Sequence, residues 1–445
     1  MRDIALVVVF VGVLVFVLKR PYVGIYLWTW LGFMNPHRLT WGFAYYLPFA
    51  QVAAIATLLA MFATRQPVRM PWTRETVLLL VFILWMLITT FFALYPEHAL
   101  EQWNKVWKIM FMLYITLILI DTKQKLDWLV WVIVISIGFY GVKGGIFTIV
   151  NGGVYHVQGP AETFIGGNNE IALALIMTIP LMRYLQLQVD HVWLHKGMVV
   201  AMLLTGLAAI GTQSRGALLG ILAMAAFLWM KSRNRAFTLL AILVVAGAVL
   251  VIMPEAWWER MASIQNYEED ESATNRINAW WTAFYLAQDR ITGGGFETFK
   301  TQVFRIYAPN PEEHPDAHSI FFEVMGEHGF IGFAMFMLLG IFTWNTGSRI
   351  KRRARQYAET KWAADLASMV QVCLVGYAAP GAFLGLAYFD YYYTLIAIMV
   401  ICKTLVFSEI ESFEDATAKK QPGAFGFRRG AGSRSGSIAD ERIAD

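Results

Sequence analysis

Three short strings in this sequence combine residue types that can bind or transfer charged groups. The first is the turn Gly211-Thr212-Gln213-Ser214-Arg215-Gly216-Ala217, which lies between two apolar stretches. A guanidinium fixed at such a turn, here that of Arg215, can bind a phosphate or diphosphate through two parallel hydrogen bonds, with Ser214 beside it. The same arginine could instead extend toward lipid headgroups, and the pattern alone leaves both interpretations open.

The second string runs from Arg276 to Trp280 and begins a predicted amphipathic helix. Apolar residues at positions 277, 280, 281 and 284 have the spacing of a helix that can lie on a membrane surface. Arg276 is therefore a second candidate for binding phosphate, although its position alone favours a solvated charge at the helix start, since cations suit helix C-termini better. Glycines 293–295 follow this helix and favour a sharp turn over an anion-binding loop. Three further arginines on the same face are weaker candidates: Arg260, Arg290 and Arg305.

The third string, His314-Pro315-Asp316-Ala317-His318-Ser319, is rich in polar and charged residues. The two histidines have the i, i+4 spacing of a helical zinc pair, but Pro315 argues against a continuous helix between them. No third ligand has a convincing spacing, so we predict no metal site. His318 precedes an apolar run, where a neutral imidazole can act as a general base near neutral pH. A capping or interfacial histidine is the alternative role.

The elements that must position these residues are membrane helices. Of the 445 residues, 57% are hydrophobic and only 15% are charged, whereas a soluble chain has about 25% charged residues. The apolar residues form blocks of roughly 15–23, enough to cross a hydrocarbon core as helices. The sequence therefore predicts an all-α polytopic membrane protein with about twelve transmembrane helices. The thirteen candidate segments are 4–18, 22–34, 46–64, 75–94, 104–120, 128–150, 169–187, 197–211, 216–231, 236–253, 329–346, 366–386 and 391–408.

Lysine and arginine residues indicate how these helices are oriented. Alternating sides along the chain places the clusters at 19–20, 65–74, 123–125, 231–235 and 351–355 on one face, which the positive-inside rule assigns to the cytoplasm. The three strings above then lie on the opposite face. We predict four regions: an N-terminal transmembrane bundle (1–253), a large outer loop (254–328), C-terminal transmembrane helices (329–410) and a disordered cytoplasmic tail (411–445). The acidic run 268–271 is expected to be a solvated part of the outer loop.

Several classes of function are disfavoured. The net charge of +4 is small and dispersed, so no nucleic-acid footprint is visible. Cys373 and Cys402 lie in separate apolar blocks and form no metal-binding or redox pair. A membrane phosphatase of the acid-phosphatase type needs a histidine six residues after the Ser-Arg pair, where this chain has Ile221. A secondary transporter would place charges at mid-helix, and most segment centres here carry none.

Taken together and in order, the motifs resemble those of the bacterial O-antigen ligases and their superfamily, which includes O-antigen polymerases and protein O-oligosaccharyltransferases. The histidine signature is His318-Ser319, nine residues, then Gly329-Phe330-Ile331-Gly332. Ser214-Arg215-Gly216 matches the family's Ser-Arg-Gly turn, and the Arg-x-x-x-Trp pattern at Arg276 and Trp280 precedes Gly293 and Gly295. The N-terminal part, with Gly141–Gly145 and Phe164–Asn169, is similar to the exosortase-associated putative O-glycosylation ligases.

The resemblance implies a fold like that of the GT-C glycosyltransferases, with the active site facing the periplasm from the inner membrane. It also implies transfer of a glycan from undecaprenyl diphosphate to a hydroxyl of lipid A-core, with no cofactor. Arg215 and Arg276 would bind the diphosphate, with Ser214, Trp280 and Gly295 also contributing to substrate binding. His318 would be the catalytic base of a metal-independent, inverting displacement. A polymerase, a protein O-oligosaccharyltransferase and, more remotely, a lipid-linked glycan transporter are the alternatives.

Overall fold

The computed structural model describes residues 1–231, 235–262 and 271–420, and this part of the chain contains helices and no β-strand. Two short 3₁₀ helices, Pro36–Leu39 and Phe43–Tyr46, lie between the second and third α-helices. The α-helices are α1 (Arg2–Lys19), α2 (Pro21–Met34), α3 (Phe49–Ala63), α4 (Arg74–Phe91), α5 (Pro96–Leu119), α6 (Lys123–Val150), α7 (Asn168–Gln188), α8 (Val192–Gly211), α9 (Arg215–Lys231), α10 (Arg235–Ile252), α11 (Glu255–Ala262), α12 (Glu271–Asp289), α13 (Thr301–Tyr307), α14 (Ile320–Ala354), α15 (Lys361–Gly381) and α16 (Asp390–Lys420).

Each of the thirteen predicted segments falls on one of these helices, so the predicted all-α membrane fold is confirmed. Within the described ranges, seven helices are long and apolar enough to span a membrane: α4, α6, α7, α8, α14, α15 and α16. The end of α10 and α11 form an eighth candidate, bent by 119°. The expected count of about twelve spans is not reproduced, because several predicted segments form helices too short for a full crossing. For example, α2 has 14 residues and α3 has 15, whereas a span needs about 20.

Helix α7 lies at the centre of the bundle and packs against α6, α8 and α15. Its side chains are buried on all sides, as expected for a helix whose sequence is apolar all round. Its first residues, Asn168, Asn169 and Glu170, are polar and lie at the end of the bundle where α8 ends and α9 begins. A polar helix end is thereby held within an apolar scaffold.

Helix α14 is broken at Gly329, whose φ of 66° and ψ of −174° lie outside the helical region. The helix begins at Ile320, earlier than the predicted membrane segment, and the break at Gly329 coincides with that segment's predicted start. A short first part therefore follows His318 directly, and the long second part crosses the bundle to the basic residues at its far end, Lys351, Arg352 and Arg353. The glycine separates a short helix that follows His318 from a long helix that can span the membrane.

The predicted outer loop, residues 254–328, contains α11, α12, α13 and the first part of α14. In α12 the small face of Ala279, Thr282 and Ala283 is buried, whereas Ile277 and Trp281 of the predicted apolar face are exposed. The acidic residues 268–270, as well as Arg233, lie outside the described residues. Helix α16 continues to Lys420, past the predicted start of the tail at residue 411, and residues 421–445 also lie outside the described ranges.

Candidate active site

Three arginines predicted from the sequence line one cavity. The cavity has a volume of about 170 Å³ and lies where α7 and α9 begin and α15 ends. Arg215, Arg260 and Arg276 come from α9, α11 and α12, which are separate elements of the chain. No carboxylate is among its lining residues in the described part of the chain. Such a cavity is suited to an anion, because guanidinium groups form charge-assisted hydrogen bonds with phosphate oxygens.

The turn before α9 fixes the position of Arg215. The Ser214 hydroxyl accepts a hydrogen bond from the Ala217 backbone N–H at 3.1 Å and so caps the helix. Gln213 has a left-handed φ of 55°, and its side-chain amide donates to the carbonyl of Gly153 at 2.9 Å. Asn168 at the start of α7 donates to the carbonyl of Thr212 at 3.0 Å. Ser214 therefore holds the turn, and Arg215 stands at the positive end of the helix dipole.

His318 lies in a second cavity of about 230 Å³, whose character is acidic. Its other polar lining residues are Gln102, Glu170, Glu297, Asp316, Glu323, Glu327 and Tyr388. Carboxylates accept hydrogen bonds from hydroxyl groups, so such a cavity is suited to a sugar or another polyhydroxyl group. The carboxylates of Glu297 and Asp316 are among its lining groups.

The two cavities adjoin each other. Asn169 lines the arginine cavity, and the next residue, Glu170, lines the acidic one. In the same way, Leu384 lines the arginine cavity and Gly385 lines the acidic one. Arg276 also contributes to the electrostatic environment of His318. An anion in the arginine cavity would thus lie beside a hydroxyl-bearing group in the acidic cavity, with His318 close to their junction.

The segment that carries His318 is tied to α12 at two points. Asn278 exchanges two hydrogen bonds of 2.9 Å with the backbone of Asn310. Two residues later, the Trp280 indole N–H donates to the carbonyl of Ala317 at 2.8 Å, and its ring stacks on Phe322 with centroids 5.0 Å apart. Trp280 therefore touches the residue before His318 and acts as a support for it, while Arg276 one turn earlier lines the arginine cavity.

His318 itself has an unusual backbone, with a left-handed φ of 42°. Such a conformation is uncommon for residues with a Cβ atom and is often found at active sites. The side chain opens into the acidic cavity and is partly enclosed by protein elsewhere. This partial burial, together with the charge of Arg276, lowers the pKa of His318, while Asp316 and Glu170 act in the opposite direction. The imidazole is therefore neutral at neutral pH, as a general base must be.

The glycine string after α12 forms a sharp turn, in agreement with the preferred prediction. The break at Gly329 leaves the carbonyls of Gly326 and Glu327 without helical hydrogen-bond partners. The amides of Gly294 and Gly295 donate to these two carbonyls at 2.9 and 2.8 Å. Gly295 has a φ of 79°, is buried and lines neither cavity. Gly295 therefore locks the turn onto α14, and its part in substrate binding stays a prediction.

The remaining candidate arginines have different surroundings. Arg290 donates to the backbone carbonyls of Gly293 and Phe92 at 2.9 and 2.7 Å, so it holds the glycine turn in place. Arg305 is exposed on α13 and lines neither cavity. Of the three weaker candidates, only Arg260 lies with Arg215 and Arg276.

Two carboxylates of the site, the buried Glu327 and the half-buried Glu323, were not selected from the sequence. Glu327 accepts a hydrogen bond from the Tyr388 hydroxyl and one from the Glu297 backbone N–H at 2.7 Å. Glu323 accepts from the Ala387 backbone N–H at 3.1 Å. Their i, i+4 spacing in an apolar run was a usable signal, because a carboxylate in such a run needs a buried partner or a functional role.

Histidines 314 and 318 lie in a segment without regular secondary structure and not on a helix, so their zinc-like spacing does not form a helical pair. Within the described ranges, no group of three or more His, Cys, Asp or Glu side chains has the arrangement of a metal site.

Two known families match separate parts of the chain. Residues 1–189 match a family of unknown function (DUF5935), and residues 200–337 match the O-antigen ligase family. No curated protein was found to match the chain. The second match includes Arg215, Arg276, Trp280, His318 and the break at Gly329. The match over residues 200–337 confirms the predicted resemblance to the O-antigen ligase family.

Proposed function

We propose that this protein transfers a glycan from undecaprenyl diphosphate to a hydroxyl of lipid A-core. The family match supports a ligase or polymerase type of function at the coarser level. The observation that carries the finer proposal is the pair of adjoining cavities: three arginines line one, and His318 lies among carboxylates in the other. A lipid-linked donor has a diphosphate next to a sugar. The arginine cavity matches the diphosphate, and the adjoining acidic cavity matches the sugar hydroxyls.

In the proposed reaction, the acceptor hydroxyl oxygen attacks the anomeric carbon of the donor glycan. His318 removes the hydroxyl proton, a new glycosidic C–O bond forms, and the C–O bond to the diphosphate breaks. The diphosphate leaves with additional negative charge, which Arg215, Arg260 and Arg276 stabilise. Fixed donors of this kind are most effective where charge develops during the reaction.

This displacement inverts the configuration of the anomeric carbon and needs no metal ion, since the arginines supply the positive charge. A covalent glycosyl-enzyme would instead need a carboxylate nucleophile, and Glu297 and Asp316 are the candidates in the acidic cavity. A product with retained configuration would contradict the proposal. So would inactivation by a chelator that added metal reverses.

The proposal places the reaction on the periplasmic face of the inner membrane. The basic residues at the end of α14 support this orientation, because they lie about 33–36 Å along the helix from its break at Gly329. The positive-inside rule assigns that basic end to the cytoplasm. The arginine and histidine cavities then open on the opposite side.

Three other functions remain as competing proposals. A polymerase would transfer the glycan to a second lipid-linked glycan, and a protein O-oligosaccharyltransferase would transfer it to serine or threonine. A lipid-linked glycan transporter would form no glycosidic bond and would tolerate loss of His318.

The test uses the full chain in nanodiscs with undecaprenyl-diphosphate glycan as donor and lipid A-core as acceptor. We expect glycan on lipid A-core with the native chain and with Arg305→Ala, but no product with His318→Ala. Elongated glycan on the carrier would instead show a polymerase. Transfer only to an offered protein substrate would show an O-oligosaccharyltransferase, and no product with any acceptor would favour the transporter.

A further inference from the structure

A cleft in the N-terminal part of the molecule has the properties of a lipid site. It has a volume of about 650 Å³, lies between α2, α3 and α5, and is lined mainly by apolar side chains. Ligand cavities commonly have volumes of about 300–1,000 Å³. The cleft belongs to residues 1–189, which match a family of unknown function, and it shares no lining residue with the arginine or acidic cavities.

The cleft is polar at one end and apolar along its length. His37, Gln51 and Lys108 supply its polar groups, and no carboxylate is among the described residues that line it. From Gln51 the apolar wall continues along α3 to Leu58, a distance of about 10 Å. Ile55 and Phe111 are 50% and 42% exposed, so the wall is open on one side. This shape fits an acyl chain that enters from the side.

The polar end is suited to a phosphate group. Lys108 brings a positive charge, whereas the neighbouring cations are engaged elsewhere: Lys105 pairs with Glu101 at 3.1 Å, and Arg38 with Glu162 at 2.6 Å. The Nδ1 atom of His37 is buried and has no hydrogen-bond partner in the structure. Burial lowers the pKa of His37, as does the charge of Arg38, so its ring is neutral and can donate a single hydrogen bond.

Tryptophans mark this end of the cleft as the headgroup level of a membrane. Trp28 and Trp107 both line it, and Trp107 is 40% exposed. Tryptophan is enriched where the hydrocarbon core meets the headgroups, and basic pockets between membrane helices bind lipid phosphates. The lysine, the histidine and the aromatic rings therefore lie where a lipid phosphate would lie.

We propose that this cleft binds a glycerophospholipid of the surrounding bilayer, with one acyl chain along α3 and α5 and the phosphate at Lys108. The same helix carries Gln102 into the acidic cavity, six residues or about 9 Å before Lys108. A lipid held here would brace the helix that forms one wall of the candidate active site. The proposal does not depend on which glycan or acceptor the active site takes.

The test measures lipid binding to the full chain by native mass spectrometry after exchange into detergent. The probes are phosphatidylglycerol and diacylglycerol with the same acyl chains, so that they differ in the phosphate headgroup. We expect the native chain to bind phosphatidylglycerol about tenfold more tightly, the effect of one charge-assisted hydrogen bond. Lys108→Ala should remove this preference, and Lys108→Arg should restore most of it.

Two further variants separate recognition from misfolding. Lys105→Ala removes a lysine one turn away that does not line the cleft, and it should bind phosphatidylglycerol like the native chain. Ala54→Phe fills the apolar wall and should weaken binding of both probes. The proposal is overturned if Lys108→Ala and Lys105→Ala bind phosphatidylglycerol equally, or if the native chain shows no preference between the probes. Retention of a polyprenyl-linked glycan in the cleft in place of phospholipid would also overturn it.

Discussion

Partial burial and Arg276 lower the pKa of His318, whereas Asp316 and Glu170 raise it. A general base works in its neutral form, so kcat/KM should be constant at neutral pH. It should fall only as the pH drops through the lowered pKa, below the ordinary value of 6.5. Asp316→Asn removes an influence that raises the pKa, so the acidic limb of the pH profile should move to lower pH.

The matched control for that variant is Glu312→Gln, which changes an exposed carboxylate that does not line the acidic cavity. Its pH profile should coincide with that of the native chain. An acidic limb that moves upward in Asp316→Asn, or does not move, would contradict the assignment of His318 as the titrating base.

Alanine variants of the three weaker candidate arginines should differ in donor affinity and in thermal stability. Arg260 lines the arginine cavity, so Arg260→Ala should weaken donor binding by about tenfold or more, the loss of one charge-assisted contact. Arg305→Ala should leave donor affinity unchanged, because this side chain is exposed and lines neither cavity. Arg290→Ala should lower Tm, because two backbone carbonyls lose their donor. Donor titration and thermal unfolding of the three variants in detergent check these outcomes, and equal donor affinity in Arg260→Ala would argue against its role.

At the scale of elements, α12 positions His318 through Trp280. Trp280→Phe keeps an aromatic ring against Phe322 but removes the hydrogen bond to the Ala317 carbonyl. We expect kcat to fall about tenfold with little change in KM for the donor, because a small misplacement of a catalytic group is costly. Steady-state kinetics of this variant are compared with Trp281→Phe, whose ring is 46% exposed and should be replaceable. A change in donor KM with kcat unaffected would show that Trp280 acts on binding instead.

The sequence predicted these elements unevenly, for physical reasons. Apolar runs predicted thirteen of the sixteen described α-helices, since a long apolar run has few alternatives to a buried or lipid-facing helix. The packed face of α12 was not predicted, because it consists of small residues such as Ala279 and Ala283 that carry little hydrophobic signal. Glu327 was not recognised, because its partner Tyr388 lies 61 residues away and becomes visible only in the folded bundle.

At the scale of the whole molecule, the orientation of the bundle is testable through single cysteines. Ile306 on α13 is 72% exposed near the site end, and Gln356 is exposed just beyond the basic end of α14. The native residues Cys373 and Cys402 are buried and should give little background. A membrane-impermeant maleimide should label Ile306→Cys in intact spheroplasts but label Gln356→Cys only after permeabilisation. The reverse pattern would place the candidate active site in the cytoplasm.

At the level of the whole site, the sequence predicts the individual residues but not their arrangement. Arg215, Arg276 and His318 were recognised from local strings, and the fold does bring them to one end of the bundle. Their distribution over two adjoining cavities depends on α7, which contributes Glu170, and on the loop between α15 and α16, which contributes Leu384 and Gly385. Helix packing sets that arrangement, and no local pattern encodes it.

In the proposed mechanism the two cavities have different roles, with the arginines binding the diphosphate and His318 activating the acceptor. The most direct test measures donor affinity and single-turnover transfer in parallel for His318→Ala and Arg215→Ala. His318→Ala should bind the donor like the native chain while transfer falls by about 10²–10⁴-fold, the usual contribution of a general base. Arg215→Ala should weaken donor binding itself. Loss of donor affinity in His318→Ala equal to that in Arg215→Ala would contradict the account.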